Sequence, residues 1–216
     1  MRITPTAARR NVFIDIETVS LDPEDSKGAL SSLGGRVVCI CLLFDDGKKI
    51  HEESLIGNDE RFLLSSFWSL IGTGDIFIGH NVFGFDLPFI RQRCWILGVR
   101  PSRRVDLRRF YTADLLDTMQ IWTNWGSSKL VSLDALGSVL GVGTKTGHGE
   151  DVAGWWARGE FNRIASYCRD DVRLTYRVFC RLIFQQLPDR YVAATQDAAE
   201  QNENTAVHAA SSSTVR

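Results

Sequence analysis

The sequence predicts a mixed α/β domain, and three observations carry that reading. Three strand-like segments rich in β-branched and apolar residues fall between Asn11 and Glu53. A strong turn signal, Asp45-Asp46-Gly47, joins two of them as a hairpin. Beyond it, apolar residues recur at helical spacing between cap and stop residues. The resulting order, β-β-β-α-β-α followed by helices, describes a mixed central sheet flanked by α-helices.

Taken in order, Asn11 to Thr18 reads as a buried strand. Ser20 to Gly35 holds Pro23, Gly28, Gly34 and Gly35 and reads as a loop. Arg36 to Phe44 is a second strand, and Lys48 to Glu53 a third beyond the hairpin turn. Asn58 is placed to cap a helix from Asp59 to Ile71, with Phe62, Leu63, Phe67 and Leu70 on its apolar side. Asp75 to Gly79 is a short strand, and Leu87 to Leu97 a helix with Pro88 in its first turn and Gly98 at its end. A last short strand falls within Arg104 to Asp117, before a helix near Leu116 to Trp122. Ser132 caps a helix from Leu133 to Leu140, stopped by Gly141, and Gly141 to Gly149 reads as a flexible loop. A long final helix runs from Glu160 to Gln186, before Pro188. Residues 1–10 read as a loose basic lead-in, 11–190 as one domain, and 191–216 as a disordered polar tail.

The 216 residues suffice for one domain with a real core. The net charge of −1 supplies no global basic field of the kind many nucleic-acid binders show. Bound divalent cations would add positive charge that this count omits. The five cysteines are odd in number and lack zinc-ligand spacing, which reads as reduced thiols in a cytoplasmic protein. No apolar run is long enough to cross a bilayer, and no signal-peptide core precedes the first strand.

Chemistry concentrates in acidic residues from three separated blocks. Asp15 and Glu17 stand two apart in a strand and so face one side, with Ile14 and Ile16 on the other. Adjacent like charges repel unless a cation lies between them; a solvated strand edge would show the same alternation. His80 and Asn81 end the fourth strand, and Asp86 opens the next helix, where a carboxylate also favours the helix dipole. A histidine in that position is more often a structural hydrogen-bonder than a ligand, and Asn81 suits a turn better than a substrate contact. Tyr167 and Asp171 lie one helical turn apart on one face, with Asp170 beside them. Spacing leaves Asp170 and Asp171 open as alternatives, and an exposed acid pair beside Arg169 and Arg173 is the plainer alternative to either.

These blocks, Phe13-Ile14-Asp15-Ile16-Glu17-Thr18, Gly79-His80-Asn81 through Phe85-Asp86, and Tyr167-Cys168-Arg169-Asp170-Asp171, resemble the three exonuclease motifs of the DEDD superfamily. The tyrosine places the resemblance in the DEDDy subgroup, similar to the proofreading exonuclease domain of family B DNA polymerases and its stand-alone relatives. Leu133 to Gly141, with Lys145 after it, resembles the stretch before the third motif. The resemblance spans about Asn11 to Phe184 and its register selects Asp171 over Asp170.

The resemblance implies a ribonuclease H-like fold and metal-dependent 3′-to-5′ hydrolysis at a single-stranded nucleic-acid end, with DNA favoured over RNA. It implies Asp15, Glu17, Asp86, Tyr167 and Asp171 as catalytic residues. The four carboxylates would hold two divalent cations, Mg2+ or Mn2+, with Asp15 shared between them. Tyr167 would orient the attacking water, since its ordinary pKa near 10 makes it a poor base. Thr18, Asn81, Phe83 and Phe85 are the candidate substrate contacts, although Phe83 fits a core position somewhat better.

Arg91, Arg93, Arg100, Arg103, Arg104, Arg108 and Arg109 form a locally basic stretch, which is either a solvated face or a phosphate track. Trp122, Trp125, Trp155 and Trp156 are candidates for base stacking, with one of the adjacent pair Trp155-Trp156 expected to be exposed. Lys145, in a glycine-rich loop, reads more simply as a mobile surface lysine than as a phosphate contact. Besides the exonuclease, the sequence admits an exoribonuclease, a non-catalytic nucleic-acid-binding module that kept the fold, and a structural domain with solvated acids.

Overall fold

A computed structural model describes residues 9–25, 27–126, 129–192 and 194–195. Strands β1 (Asn11–Ser20), β2 (Gly35–Asp45) and β3 (Ile50–Ile56) form an antiparallel meander. Strands β4 (Ile76–Gly79) and β5 (Leu115–Asp117) add to the other edge of β1 in parallel. The sheet order is β3-β2-β1-β4-β5. Helices α1 (Glu60–Leu70), α2 (Asp86–Leu97), α3 (Thr118–Thr123), α4 (Leu133–Val139), α5 (Asp151–Ala157) and α6 (Phe161–Leu182) pack around it.

β1 is central and buried on both faces, as its β-branched and aromatic content predicts. Val12, Ile14 and Ile16 face Leu64 and Phe67 of α1 and Leu87 and Ile90 of α2. Phe13 faces the other layer, where Cys168, Val172 and Tyr176 of α6 cover the sheet. The two-residue period therefore turns Asp15 and Glu17 toward α6. The pairing of β1 with β2 shifts between Glu17 and Thr18, leaving Val38 of β2 without a partner. Such a bulge re-aims the strand end locally.

The helix α1 departs from expectation in two ways. Asp59, not Asn58, caps it, its carboxylate accepting the Phe62 N–H at 2.9 Å. Phe62 is 67 % exposed, whereas Glu60 lies on the buried stripe with Leu63, Leu64 and Phe67. Glu60 is tolerated inside because Arg93 of α2 meets it in a two-pronged ion pair at 2.9 and 2.7 Å. The Val37 N–H and the Ser32 carbonyl complete this network. Arg93 is thereby removed from the basic surface the sequence suggested. Removing one partner of a buried pair strands the other, so Glu60→Ala is expected to destabilise the fold by about 3–5 kcal/mol. Urea denaturation measures this; an unchanged midpoint would contradict it.

Arg103 also leaves the presumed phosphate track. It pairs with Asp114 at 3.1 Å, donates to the Asp75 carbonyl, and its side chain is 7 % exposed.

Helix α5 is an element the sequence reading did not assign. Gly154 within it lowers helix propensity, but Val152 and Trp155 bury themselves against the α6 layer and hold it. The loop expected to be flexible is tethered: Arg177 donates to the Val142 carbonyl at 2.8 Å, and the Lys145 N–H donates to Asp134 at 2.8 Å. The folded part reaches past the expected boundary at 190. Tyr191 is buried and stacks on Tyr176 at 4.5 Å, and Arg190 holds Asp45 at 2.9 Å. Arg10 of the lead-in pairs with Asp75 at 2.6 Å. The expected looseness of 1–8 and disorder of 196–216 lie outside the described residues. All five cysteines are free and buried. Among the described residues, no helix is long and apolar enough to cross a membrane.

Candidate active site

The site forms where β4 leaves β1. The parallel pairing covers only Asn11 to Phe13, so the edge of β1 opens beyond that point. Asp86, the first residue of α2, is directed there and accepts the Ile16 N–H at 3.1 Å. This bond ties the second sequence block to the first. The third arrives on α6, whose inner face carries Tyr167, Cys168 and Asp171. Asp171 is 2 % exposed at the cluster, whereas Asp170 turns outward to Thr146 and Arg173.

Behind the acids lies a layer of thiols. Across β2, Asp15 is paired with Cys41 and Glu17 with Cys39. Cys168 donates to the Asp15 carbonyl at 3.4 Å, packing α6 onto the strand. A carboxylate oxygen of Asp15, one of Glu17 and the Cys168 sulfur lie within 4.8 Å of one another.

Lys145 is not the mobile surface lysine its glycine-rich context suggested. Its ammonium is 2.5 Å from Asp171 Oδ2 and 5.0 Å from the centre of the Tyr167 ring. Its glycine-rich neighbours give no sign of this; the signal in the sequence is the resemblance of Leu133 to Gly141, with Lys145 after it, to the stretch before the third motif. The tethers at Val142 and Asp134 bring its loop over α6.

Burial, and after it the crowding of like charges, raises the carboxyl pKa values. Burial and the charges of Glu17, Asp86 and Asp171 push Asp15 well above the carboxylate range. Burial and Asp171 do the same to Glu17. Burial raises Asp171 as well, against the pull of Lys145. Burial lifts Asp86 to about 7 although the Ile16 N–H opposes the shift. Tyr167 is raised above the phenol range, first by burial. Burial pulls Lys145 down, but Asp171 and Tyr167 outweigh it and hold it charged.

These shifts have a defined consequence for stability. A carboxyl whose folded pKa is raised stabilises the fold below its unfolded value, about 4. That contribution is lost as pH rises through the folded value, here near 7 for Asp86. The metal-free protein should therefore lose stability between about pH 4 and 8. Divalent cations should raise its melting temperature more at pH 8 than at pH 5. Thermal unfolding with Mg2+, Mn2+ or chelator tests this, and an equal gain at both values would contradict it.

The donor set fits a hard divalent cation. Carboxylate oxygens, the class that Mg2+ and Mn2+ prefer, make up the charged part of the cluster, and burial holds the neighbouring Cys168 as a neutral thiol. Asp171 Oδ1 is buried with no hydrogen-bond partner, an orphaned acceptor that a cation would satisfy.

The candidate substrate contacts are placed differently from one another. Thr18 donates to the Ala29 carbonyl at 2.6 Å and so secures the loop after β1. Asn81 sits at positive φ (62°), and its N–H and that of Phe83 donate to Asp117 at 3.0 and 2.9 Å. Asp117, which also caps α3, is thus the anchor of the second block, and the sequence reading missed it. His80 is a structural bonder, with its ring nitrogens 2.9 Å from Thr118 Oγ1 and the Val131 carbonyl. Phe83 meets the edge of Trp125 at 5.3 Å at the margin of the core. Phe85 lines an open groove of about 570 Å³ with Leu30, Leu33 and Pro88. Of the adjacent tryptophans, Trp155 is buried and packs edge-on against Tyr167 at 5.6 Å. Trp156 is half-buried under Arg36.

Comparisons with known proteins agree with this architecture. A family model described as a predicted 3′-5′ exonuclease related to the exonuclease domain of PolB matches residues 30–213. The match includes the second and third blocks and begins after Asp15 and Glu17. A DNA polymerase of Archaeoglobus fulgidus is 27% identical over 149 residues, which cover 61% of this chain and 19% of the polymerase. The family B DNA polymerase of Pyrobaculum calidifontis has a similar structure, with a TM-score of 0.61 and 22% identity over 81% of this chain and 24% of that one. The chain thus spans about a fifth to a quarter of the length of these polymerases. The fold is ribonuclease H-like, as the motif resemblance implied.

Proposed function

Because the chain belongs to the family of predicted 3′-5′ exonucleases related to the exonuclease domain of PolB, we propose that it removes nucleoside 5′-monophosphates from the 3′ end of single-stranded nucleic acid, DNA in preference to RNA. One observation carries the reading beyond the family. Asp15, Glu17, Asp86 and Asp171 converge with Tyr167, and the ammonium of Lys145 faces them. A solvated acid pair does not need this burial, and a binding module gains nothing from the repulsion. The DNA preference rests on the two similar proteins being DNA polymerases.

In this reading Asp15, Glu17, Asp86 and Asp171 would together hold the divalent cations, Mg2+ or Mn2+. The cations would acidify water and neutralise charge on the scissile phosphate. The residues supply the rest. Asp86 locks α2 to β1 through the Ile16 N–H, fixing the spacing between two of the acids. Tyr167 keeps its proton, because burial raises its pKa, and hydrogen-bonds the attacking water to orient it. Trp155 fixes the tilt of that ring. Lys145 keeps a positive charge beside Asp171, where the negative phosphate must approach. Lys145→Ala should slow shortening by about 10²–10³-fold, the cost of losing one positioned electrostatic group, as measured by single-turnover hydrolysis.

The direct test uses 5′-labelled single-stranded DNA and RNA oligonucleotides with Mg2+, Mn2+ or chelator. A ladder shortening from the 3′ end, faster on DNA and absent with chelator, is expected. Faster shortening of RNA would make the protein an RNA-trimming enzyme. Binding without shortening would make it a non-catalytic module and overturn the proposal.

A further inference from the structure

We propose that the far end of α2 carries a second nucleic-acid site, in which Trp95 stacks on a base of the substrate strand and Arg91, Arg100 and Arg104 hold its phosphates. The proposal deepens the exonuclease reading and rests on it for the identity of the strand.

The site is a pocket of about 500 Å³ between α2 and the segment after it. Its floor is apolar, built from Trp68, Leu87, Val105 and Leu107. Its rim carries Arg91, Arg100 and Arg104. The other arginines of this basic stretch that lie nearby are already engaged: Arg93 with Glu60, Arg103 with Asp114, and Arg108 with Asp106. Among the described residues, Arg91, Arg100 and Arg104 have no carboxylate partner within ion-pair distance. Arg91 lies 5.2 Å from the Trp95 ring, and its Nε is buried with no hydrogen-bond acceptor. An N–H left unsatisfied in this way is costly, so a rotation of the guanidinium that turned it out to a phosphate oxygen would be favoured. Trp95 is 68 % exposed, a large planar surface left in water. An exposed aromatic face beside free guanidinium groups matches the alternating base and phosphate of a single strand. An acidic peptide would use the charges and leave the ring face without a planar partner.

The pocket also lies on a path from the acidic cluster. Asp86 and Trp95 are separated by nine positions on α2, about 13.5 Å along the axis. The groove lined by Phe85 and Pro88 runs along the same helix and ends on Trp95 and Ile96. Trp95 borders both depressions. A strand whose 3′ end lies at Asp15 and whose terminal bases follow Phe85 would bring an upstream nucleotide to Trp95.

The test measures binding and turnover separately. Binding of a fluorescent single-stranded oligothymidylate is followed by anisotropy across a salt series in the presence of chelator. Trp95→Ala should weaken binding by about 5- to 100-fold. The triple variant R91A/R100A/R104A should weaken it further and reduce the slope of log affinity against log salt by about 2. With Mg2+, the triple variant should raise KM for long oligonucleotides and leave kcat unchanged. A trinucleotide, too short to span the groove, should be cleaved equally by both proteins. Trp95→Phe should restore much of the affinity, which separates stacking from a folding defect; circular dichroism checks the triple variant. Unchanged affinity and salt slope in the triple variant would overturn the pocket, as would equal competition by polyglutamate. A protein that binds through these residues but shortens nothing would keep the pocket and overturn the exonuclease reading. One that shortens normally with an unaffected triple variant would do the reverse.

Discussion

Asp15→Ala is expected to abolish metal-dependent shortening of a 3′ end while leaving the fold intact. Asp15 sits at the centre of the acidic cluster, in electrostatic contact with Glu17, Asp86 and Asp171 together. Losing it removes the central one of the carboxylates that would hold the proposed cations, so the loss should greatly exceed the roughly 10–100-fold that an outer-shell partner costs. Without metal the same change relieves repulsion among four buried acids. The metal-free variant should therefore match or exceed the parent in thermal stability at pH 8, and its gain from Mn2+ should shrink. Retention of parental turnover would refute the central role of Asp15. A variant that fails to fold would instead mean that this carboxylate supports the structure without metal, contrary to its raised pKa.

Tyr167→Phe should slow turnover by about 10²–10⁴-fold, the range for a positioned proton-transfer group, with little change in metal affinity. The substitution keeps the ring, and with it the edge contact to Trp155 and the approach of Lys145. It deletes the hydroxyl alone. Single-turnover hydrolysis reads the chemical step, and calorimetric titration with Mn2+ reads the cations. Equal rates for the two proteins would remove Tyr167 from the mechanism. A parallel loss of Mn2+ binding would make it a support for the metal-binding acids and no longer a group acting on water.

The strand pattern of β1 was legible because alternation needs only the covalent geometry of an extended chain. Asp15 and Glu17 had to share a face, and Ile14 and Ile16 the other. The helical turn between Tyr167 and Asp171 was legible for the same reason. Asp170 and Asp171 could not be separated by spacing. The family resemblance selected Asp171, and the packing of α6 against β1 buries it and leaves Asp170 half-exposed. Helix α5 escaped notice because it is short and contains a glycine, and tertiary burial of Val152 and Trp155 overrides that weak propensity.

The cations were the least legible part. Arg93 and Arg103 belong to a basic run in the sequence, yet each is engaged by an acid distant along the chain. Lys145 looked solvated and instead faces Asp171. Side-chain identity and local period are written along the chain, so the sequence by itself determined which acids could act together. Whether a charge is free, paired or poised over another depends on distances through space between residues far apart in sequence. Only the tertiary structure decided that, because Coulomb and desolvation energies follow separation and burial and are indifferent to sequence order.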